Sequence, residues 1–257
     1  MVRDLLIRGM IAGVVAGLLA FGVAKAFGEP QVDRAVAFEE AHAKAEAAAR
    51  GQTQPEEEEL VSRAVQSTTG LLTAIIVYGS AMGGLFALTF AFLYGRLGDF
   101  SPRLLALLLA LAAFVAIYYI PSLKYPANPP AIGEPATIGY RTGLFFLMIS
   151  ISLGGVVLAV ATGRKLVKKY GDFNATLLGV GLFAAIIVIA QIILPDINEV
   201  PPDFPAVVLW EFRMTSLGMQ AMMWTTLGLV FGTLAERVIR GRLSFQSSHS
   251  PARSSVS

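Results

Sequence analysis

The sequence predicts an all-α integral membrane protein, with six transmembrane helices in three hairpins and both termini on the cytoplasmic side. Three observations predict it. Of 257 residues, 55% are hydrophobic and 15% charged, with a mean hydropathy of +0.64; that leaves too few polar groups to cover a soluble domain of this length. The apolar residues come in unbroken runs rather than in stripes, and about 20 residues at ~1.5 Å each cross a ~30 Å hydrocarbon core. Lysine and arginine also concentrate in alternate connections.

The six runs cover roughly residues 5–27, 70–94, 104–120, 142–162, 175–194 and 214–234. Without water, backbone groups inside such runs must bond to each other, so each is expected to be helical. The first run needs a test of its own. Arg3 and Arg8 precede an apolar stretch, and Ala24-Lys25-Ala26 has the form of a signal-peptide cleavage site. Lysine within that site and five further spans favour a retained helix; cleavage would leave five helices in the same orientation. Glycines recur inside the runs (Gly13 and Gly17, Gly83 and Gly84, Gly154 and Gly155, Gly179 and Gly181, Gly228 and Gly232). In lipid such positions mark close helix–helix faces. A phosphate-binding loop is the competing reading, but no GxxxxGK[ST] is present.

Charge sets the orientation. With the N-terminus inside, the cytoplasmic segments hold 12 of the 20 Lys and Arg, including Arg164, Lys165, Lys168 and Lys169, and 4 of the 18 acids. The inner side carries +8 and the outer side −6, as the positive-inside rule requires.

The polytopic domain covers residues 1–240, with outer loops at 28–66, 121–141 and 195–213; residues 241–257 read as a disordered cytoplasmic tail, Ser-rich from Ser244. The second and third outer loops are proline-rich, which fixes φ and lowers loop entropy, so ordered caps are expected. Each hairpin returns through an arginine (Arg63, Arg141, Arg213) and ends inside near a basic residue. This is a faint internal repeat of the kind transporters use, although its spacings differ.

The most informative outer stretch is VDRAVAFEEAHAKAEAAAR at 32–50. Its alanines favour helix and Asp33 suits an N-cap. On that helix Glu39, His42 and Glu46 share one face. Two carboxylates and an imidazole suit cobalt, nickel or zinc better than magnesium, and the run Glu56 to Glu59 would concentrate cations nearby. The plain alternative is a solvated helix, with Glu40 paired to Lys44 and Glu46 to Arg50.

Several chemistries are excluded. There is no cysteine, hence no disulfide, thiolate metal site or iron–sulfur cluster. No nucleophile–base pair, HExxH or nucleotide motif is present, so no enzymatic activity, cofactor or nucleic-acid partner is expected. The spans contain almost no ionisable residues, with Lys25 only at an end, which weakens a proton- or sodium-coupled mechanism. Thr73, Tyr78, Ser80, Thr89, Gln191, Gln220, Thr225 and Thr226 supply intramembrane polarity. Such groups line a narrow path or, more commonly, bond their own or neighbouring helices.

The segments FGEPQVDRAVAFEEAHA, LVSRAVQSTTGLL, KYPANPP and NEVPPDFPAVVLWEFR, in this order, resemble the CbtA family of predicted cobalt transporter subunits, over nearly the whole chain to about Arg240. The resemblance implies a small polytopic protein acting with CbtB, a short single-span partner with a histidine-containing segment. Its pattern falls on Glu39, Glu40 and His42; on Lys124, Tyr125, Pro126, Asn128, Pro129 and Pro130; and on Asn198, Glu199, Pro201, Asp203, Phe204 and Pro205. Relatives often carry more histidines in the first loop; here Gln52-Thr53-Gln54 and the glutamate run stand in their place, which shifts metal binding towards carboxylates.

The expectation is an inner-membrane subunit for uptake of Co²⁺, the transported substrate, with a CbtB-like partner. Glu39, His42 and Glu46 would collect the cation, and Asn198, Glu199 and Asp203 would pass it to the bundle. The alternative is a non-transporting scaffold or metal-sensing accessory. Ligand chemistry alone does not separate cobalt from nickel.

Overall fold

The computed structural model describes residues 1–51, 61–130 and 132–248, and every regular element among them is helical. Gln52-Thr53-Gln54, Glu56 to Glu59 and residues 249–257 lie outside the described residues. The α-helices are α1 (Val2–Val23), α2 (Glu29–Ala49), α3 (Arg63–Val65), α4 (Leu71–Leu93), α5 (Pro102–Ala113), α6 (Ile120–Lys124), α7 (Ile138–Ile193) and α8 (Ala206–Ser248). Among the described residues five helical stretches are long and apolar enough to cross a membrane: Val2–Ala49, Arg63–Leu93, Pro102–Lys124, Pro135–Ile193 and Ala206–Gly241. Large apolar side chains point away from the protein along them, among them Phe92, Leu111, Val157 and Ile192, the last 77% exposed.

The longest helix accounts for the difference between five helices and the six apolar runs. α7 has 56 residues, but Gly171 within it has φ +75° and ψ 167°, a conformation that only glycine adopts without strain. On either side the chain folds back on itself. Gly155 meets Phe183, Gly179 meets Ala159, and Gly163 meets Ala175. These pairs run in opposite directions about the bend, so the fourth and fifth runs form a helical hairpin.

Two prolines shape the other helices. The Pro30 ring would clash with the carbonyl four residues back, and the chain absorbs this in a π-helical turn at Ala24–Gly28, where the Glu29 N–H bonds the Ala24 carbonyl. Pro121 is handled alike by the π-helix Phe114–Tyr119, with the Ile120 N–H bonding Val115. The first span therefore continues directly into α2, and Asp33 lies inside that helix instead of capping its start. A third π-helix, Gln66–Gly70, has Thr68 bonding the Ala64 carbonyl at 2.6 Å and Gln66 bonding Val61 at 2.7 Å. α8 extends to Ser248, into the stretch read as a tail.

The residues group into two units. The first comprises Met1–Phe21, Thr69–Leu111 and the chain from Met222. In it α1 and α4 pack antiparallel through bare backbone: Gly9 against Gly83, Gly13 against Gly79, and Gly17 against Ile75. α5 and α8 meet through Gly228 against Ala110 and Gly232 against Ala106. Phe90 and Phe231, both fully buried, stand edge to face at 5.1 Å, and Phe86 meets Phe231 at 5.4 Å. Glu236, nearly buried, is held by Arg103 and by Arg240 at 2.8 Å. Thr89 bonds the carbonyl four residues back, as Thr73 does, so these hydroxyls serve their own helix.

The second unit comprises Gly22–Thr68 and Ala112–Ala221 and contains the α7 hairpin, α2 and both proline-rich connections. Its apolar centre joins Ala35 and Phe38 of α2, Ile132 of the second connection, Val200 and Phe204 of the third, and Val208 and Leu209 of α8.

Candidate functional site

In the second unit, polar ties fix α2 and the connections in place. Lys25 donates to the Ser67 carbonyl at 3.0 Å. Arg63 pairs with Glu29 and Asp33 on successive turns of α2, and Arg34 reaches Glu211 at 3.1 Å. The three hairpin arginines all have such anchoring roles. Arg141 sits on Glu199 and Thr137, while Arg213 donates to the Asn128 side chain at 2.8 Å and the Ala127 carbonyl at 3.3 Å.

The six candidate site residues fall into two places. Helix α2 sets His42 one turn before Glu46, with Nε2 3.5 Å from the Glu46 carboxylate. The Phe204 ring, packed edge to face on Phe38 at 5.0 Å, brings the third connection against this helix. Asp203 then lies 3.5 Å from His42 Nδ1, and Phe38 stacks on the imidazole at 5.7 Å. All three polar side chains are about half exposed. The two carboxylates address opposite ring nitrogens, so each pairs with the imidazole separately. Among the described residues no group of three or more His, Asp or Glu side chains is arranged around one ion position. Glu39 belongs to the same helix. The pairs expected of a solvated helix are present too, with Glu46 to Arg50 at 2.9 Å and Glu40 to Lys44 at 4.0 Å.

Asn198 and Glu199 line a separate cavity of ≈ 370 Å³, whose walls include Tyr125, Asn128, Arg141 and Arg213. Glu199 is engaged on both oxygens. Oε1 accepts the Thr137 hydroxyl at 2.7 Å, and Oε2 accepts the Glu134 N–H at 2.8 Å with Arg141 Nε at 3.2 Å. The Thr137 hydroxyl first and the Glu134 amide second hold this carboxyl below the usual carboxylate range; burial opposes them, and the Arg141 charge adds the smallest lowering effect.

A folded-state pKa below the unfolded one stabilises the fold fully above the unfolded value, and the gain disappears as pH falls through the lowered value. The Glu199→Gln protein is therefore expected to unfold at lower temperature than the wild type at pH 7. The gap should begin to narrow below the ordinary glutamate value of about 4.3 and close as pH falls through the lowered folded value, where the wild-type carboxyl is itself protonated. Thermal unfolding of both proteins across that range checks it, and a gap that persists at low pH contradicts it.

Sequence reasoning noted Arg141 and Arg213 as hairpin arginines, without placing them in a cavity wall with Asn128. An arginine that opens an apolar span beside a proline-rich connection was the available signal.

Long apolar helices with exposed apolar side chains, joined by polar connections, are the build of a multi-pass membrane protein. The CbtA family model, described as a probable cobalt transporter subunit, matches residues 2–236. The chain belongs to this family of probable cobalt transporter subunits. No curated protein matches the chain, and no solved structure does.

Proposed function

We propose that the chain crosses the bacterial inner membrane six times and takes up Co²⁺ from outside with a CbtB-like single-span partner. The antiparallel α7 hairpin supports six crossings, because its 56 residues fold back at Gly171. An even number of crossings places both termini on one side, and Arg164, Lys165, Lys168 and Lys169 beside the bend make that side the cytoplasm.

The observation that carries the capture step is the approach of Asp203 to His42, across the contact between the third connection and α2. In this reading the cation is met by His42 with Glu46 or Asp203, and Glu39 adds charge on the same helix. Imidazole with carboxylate is a donor set suited to Co²⁺. Glu199 reaches a cation only if it leaves Arg141 and Thr137, so its resting role is to hold the third connection. Asn198 stands beside it on the cavity wall. The membrane potential supplies the drive: two charges moving inward gain about 4.6 kcal/mol per 100 mV.

The test is ⁵⁷Co²⁺ uptake in bacteria lacking their own cobalt importers, expressing the chain alone or with a CbtB-like partner. Wild-type uptake should exceed empty-vector cells. In the His42→Ala/Glu46→Ala/Asp203→Ala variant it should fall towards that baseline at low Co²⁺ and recover at high Co²⁺. Wild-type uptake retained in the variant removes the capture site. No uptake in either setting, with the protein in the membrane, points to a scaffold.

A further inference from the structure

The cavity beside Glu199 has the chemistry of an anion site. Its ≈ 370 Å³ falls at the small end of the roughly 300–1,000 Å³ of small-molecule pockets. Two guanidiniums and one carboxylate line it, so its walls carry a net positive charge. The amide and carboxylate oxygens of its side chains each already accept a hydrogen bond. Both Glu199 oxygens are engaged, Asn128 Oδ1 takes Arg213 Nη2 at 2.8 Å, and Asn198 Oδ1 takes the Val200 N–H at 3.4 Å.

The donors are not exhausted. A guanidinium offers five N–H groups and an amide two. Among the described residues, Arg141 bonds through Nε and Nη2, as does Arg213. That leaves Nη1 of each arginine, and Nδ2 of each asparagine, without a hydrogen bond among the described residues. Two guanidiniums against one carboxylate, with spare donors, disfavour a bare cation and suit a carboxylate, for which the arginine fork is well shaped.

The backbone holds one of these arginines in place. Gly133, at φ +115°, lies against the Arg141 guanidinium, where any Cβ would sit 2.3 Å from Nη1. The remaining wall is apolar, with Ile132, Phe145 and prolines, and that suits a carbon skeleton better than a bare inorganic anion.

We propose that this cavity binds a small organic di- or tricarboxylate, with one carboxylate on Arg141 and another on Arg213. The ligand arrives either free or as its Co²⁺ chelate. The proposal rests on the cavity alone and is independent of cation capture at His42.

The experiment is calorimetric titration of the full chain in lipid nanodiscs with citrate, citrate plus Co²⁺, Co²⁺ alone and sulfate. Citrate binding without metal identifies the free acid, and binding only of the mixture identifies the chelate. In either case Arg213→Gln should weaken binding at least roughly tenfold, since a charge-assisted contact is lost. Asn198→Asp should do the same: it keeps the size and the Val200 contact but replaces a donor with an acceptor. It also guards against an Arg213→Gln protein that fails to fold. No binding of citrate with or without Co²⁺ overturns the proposal. So does sulfate binding as well as citrate, or undiminished binding in a variant that keeps the wild-type unfolding transition. In the His42→Ala/Asp203→Ala variant citrate binding should persist, and only the capture reading is at stake in its Co²⁺ response.

Discussion

Gly83→Ala is expected to destabilise the protein by about 1–3 kcal/mol, as overpacking of a close contact does, while the same change at Gly154 is neutral or stabilising. At Gly83 a Cβ would lie 2.1 Å from the Gly9 carbonyl oxygen and 2.9 Å from Gly13 Cα. Both obstacles are backbone, so no side-chain rotation relieves them, and α1 and α4 must move apart. Separation also loosens the Gly13–Gly79 contact one turn along, where a Cβ on Gly13 would stand 2.0 Å from the Gly79 oxygen. In lipid, apolar burial does not hold helices together, so lost van der Waals contact is not replaced. Gly154 has nothing within 4 Å of its Cβ position, and alanine there removes the entropy that glycine brings to a helix, worth up to about 1 kcal/mol. Thermal unfolding in nanodiscs separates the two. Equal effects would mean that α1 and α4 do not meet through these glycines.

The same pair of residues shows what a sequence of this kind reveals. Apolar runs announce spans because length and hydropathy are local properties, and each of the six runs is helical in the structure to within one residue of its end. Glycine spacing points to contact faces, yet of the ten glycines singled out, Gly154 and Gly181 have nothing within 4 Å of a Cβ position. Composition does not say which side of a helix meets a partner. The helix at 32–50 was legible from its alanines, but its start was not. A π turn before Pro30 joins it to the first span, and that depends on backbone adjustment over a whole turn.

At the site, the one-turn spacing of His42 and Glu46 could be read directly. The approach of Asp203, 161 residues on, could not come from spacing; it depends on Phe204 docking against Phe38. The donor excess in the cavity was hidden for a related reason. Knowing which atoms of Glu199, Asn128 and Asn198 are already bonded requires knowing their neighbours.

Lys124→Met is expected to cost about 1.5–3 kcal/mol, the worth of a hydrogen bond to a charged group, whereas Asp196→Ala stays within about 0.5 kcal/mol, as an exposed partner should. Lys124 is only 7% exposed, and Asp196, its ion-pair partner, is 93% exposed. The important contact is the other one, from the lysine ammonium to the Gln191 carbonyl at 2.8 Å. Gln191 lies in the last turn of α7, and the residue four positions on is Pro195, which has no N–H to give. The ammonium replaces that missing donor and places a positive charge at the negative end of a helix. Next to it the Tyr125 hydroxyl donates to the Pro195 carbonyl at 2.9 Å, so two adjacent side chains close one helix end where the chain cannot close it itself. Methionine fills the lysine volume but leaves the Gln191 carbonyl without its partner. Unfolding midpoints for the two variants decide the matter. If Asp196→Ala costs as much as Lys124→Met, the exposed ion pair and not the helix end is what the lysine serves.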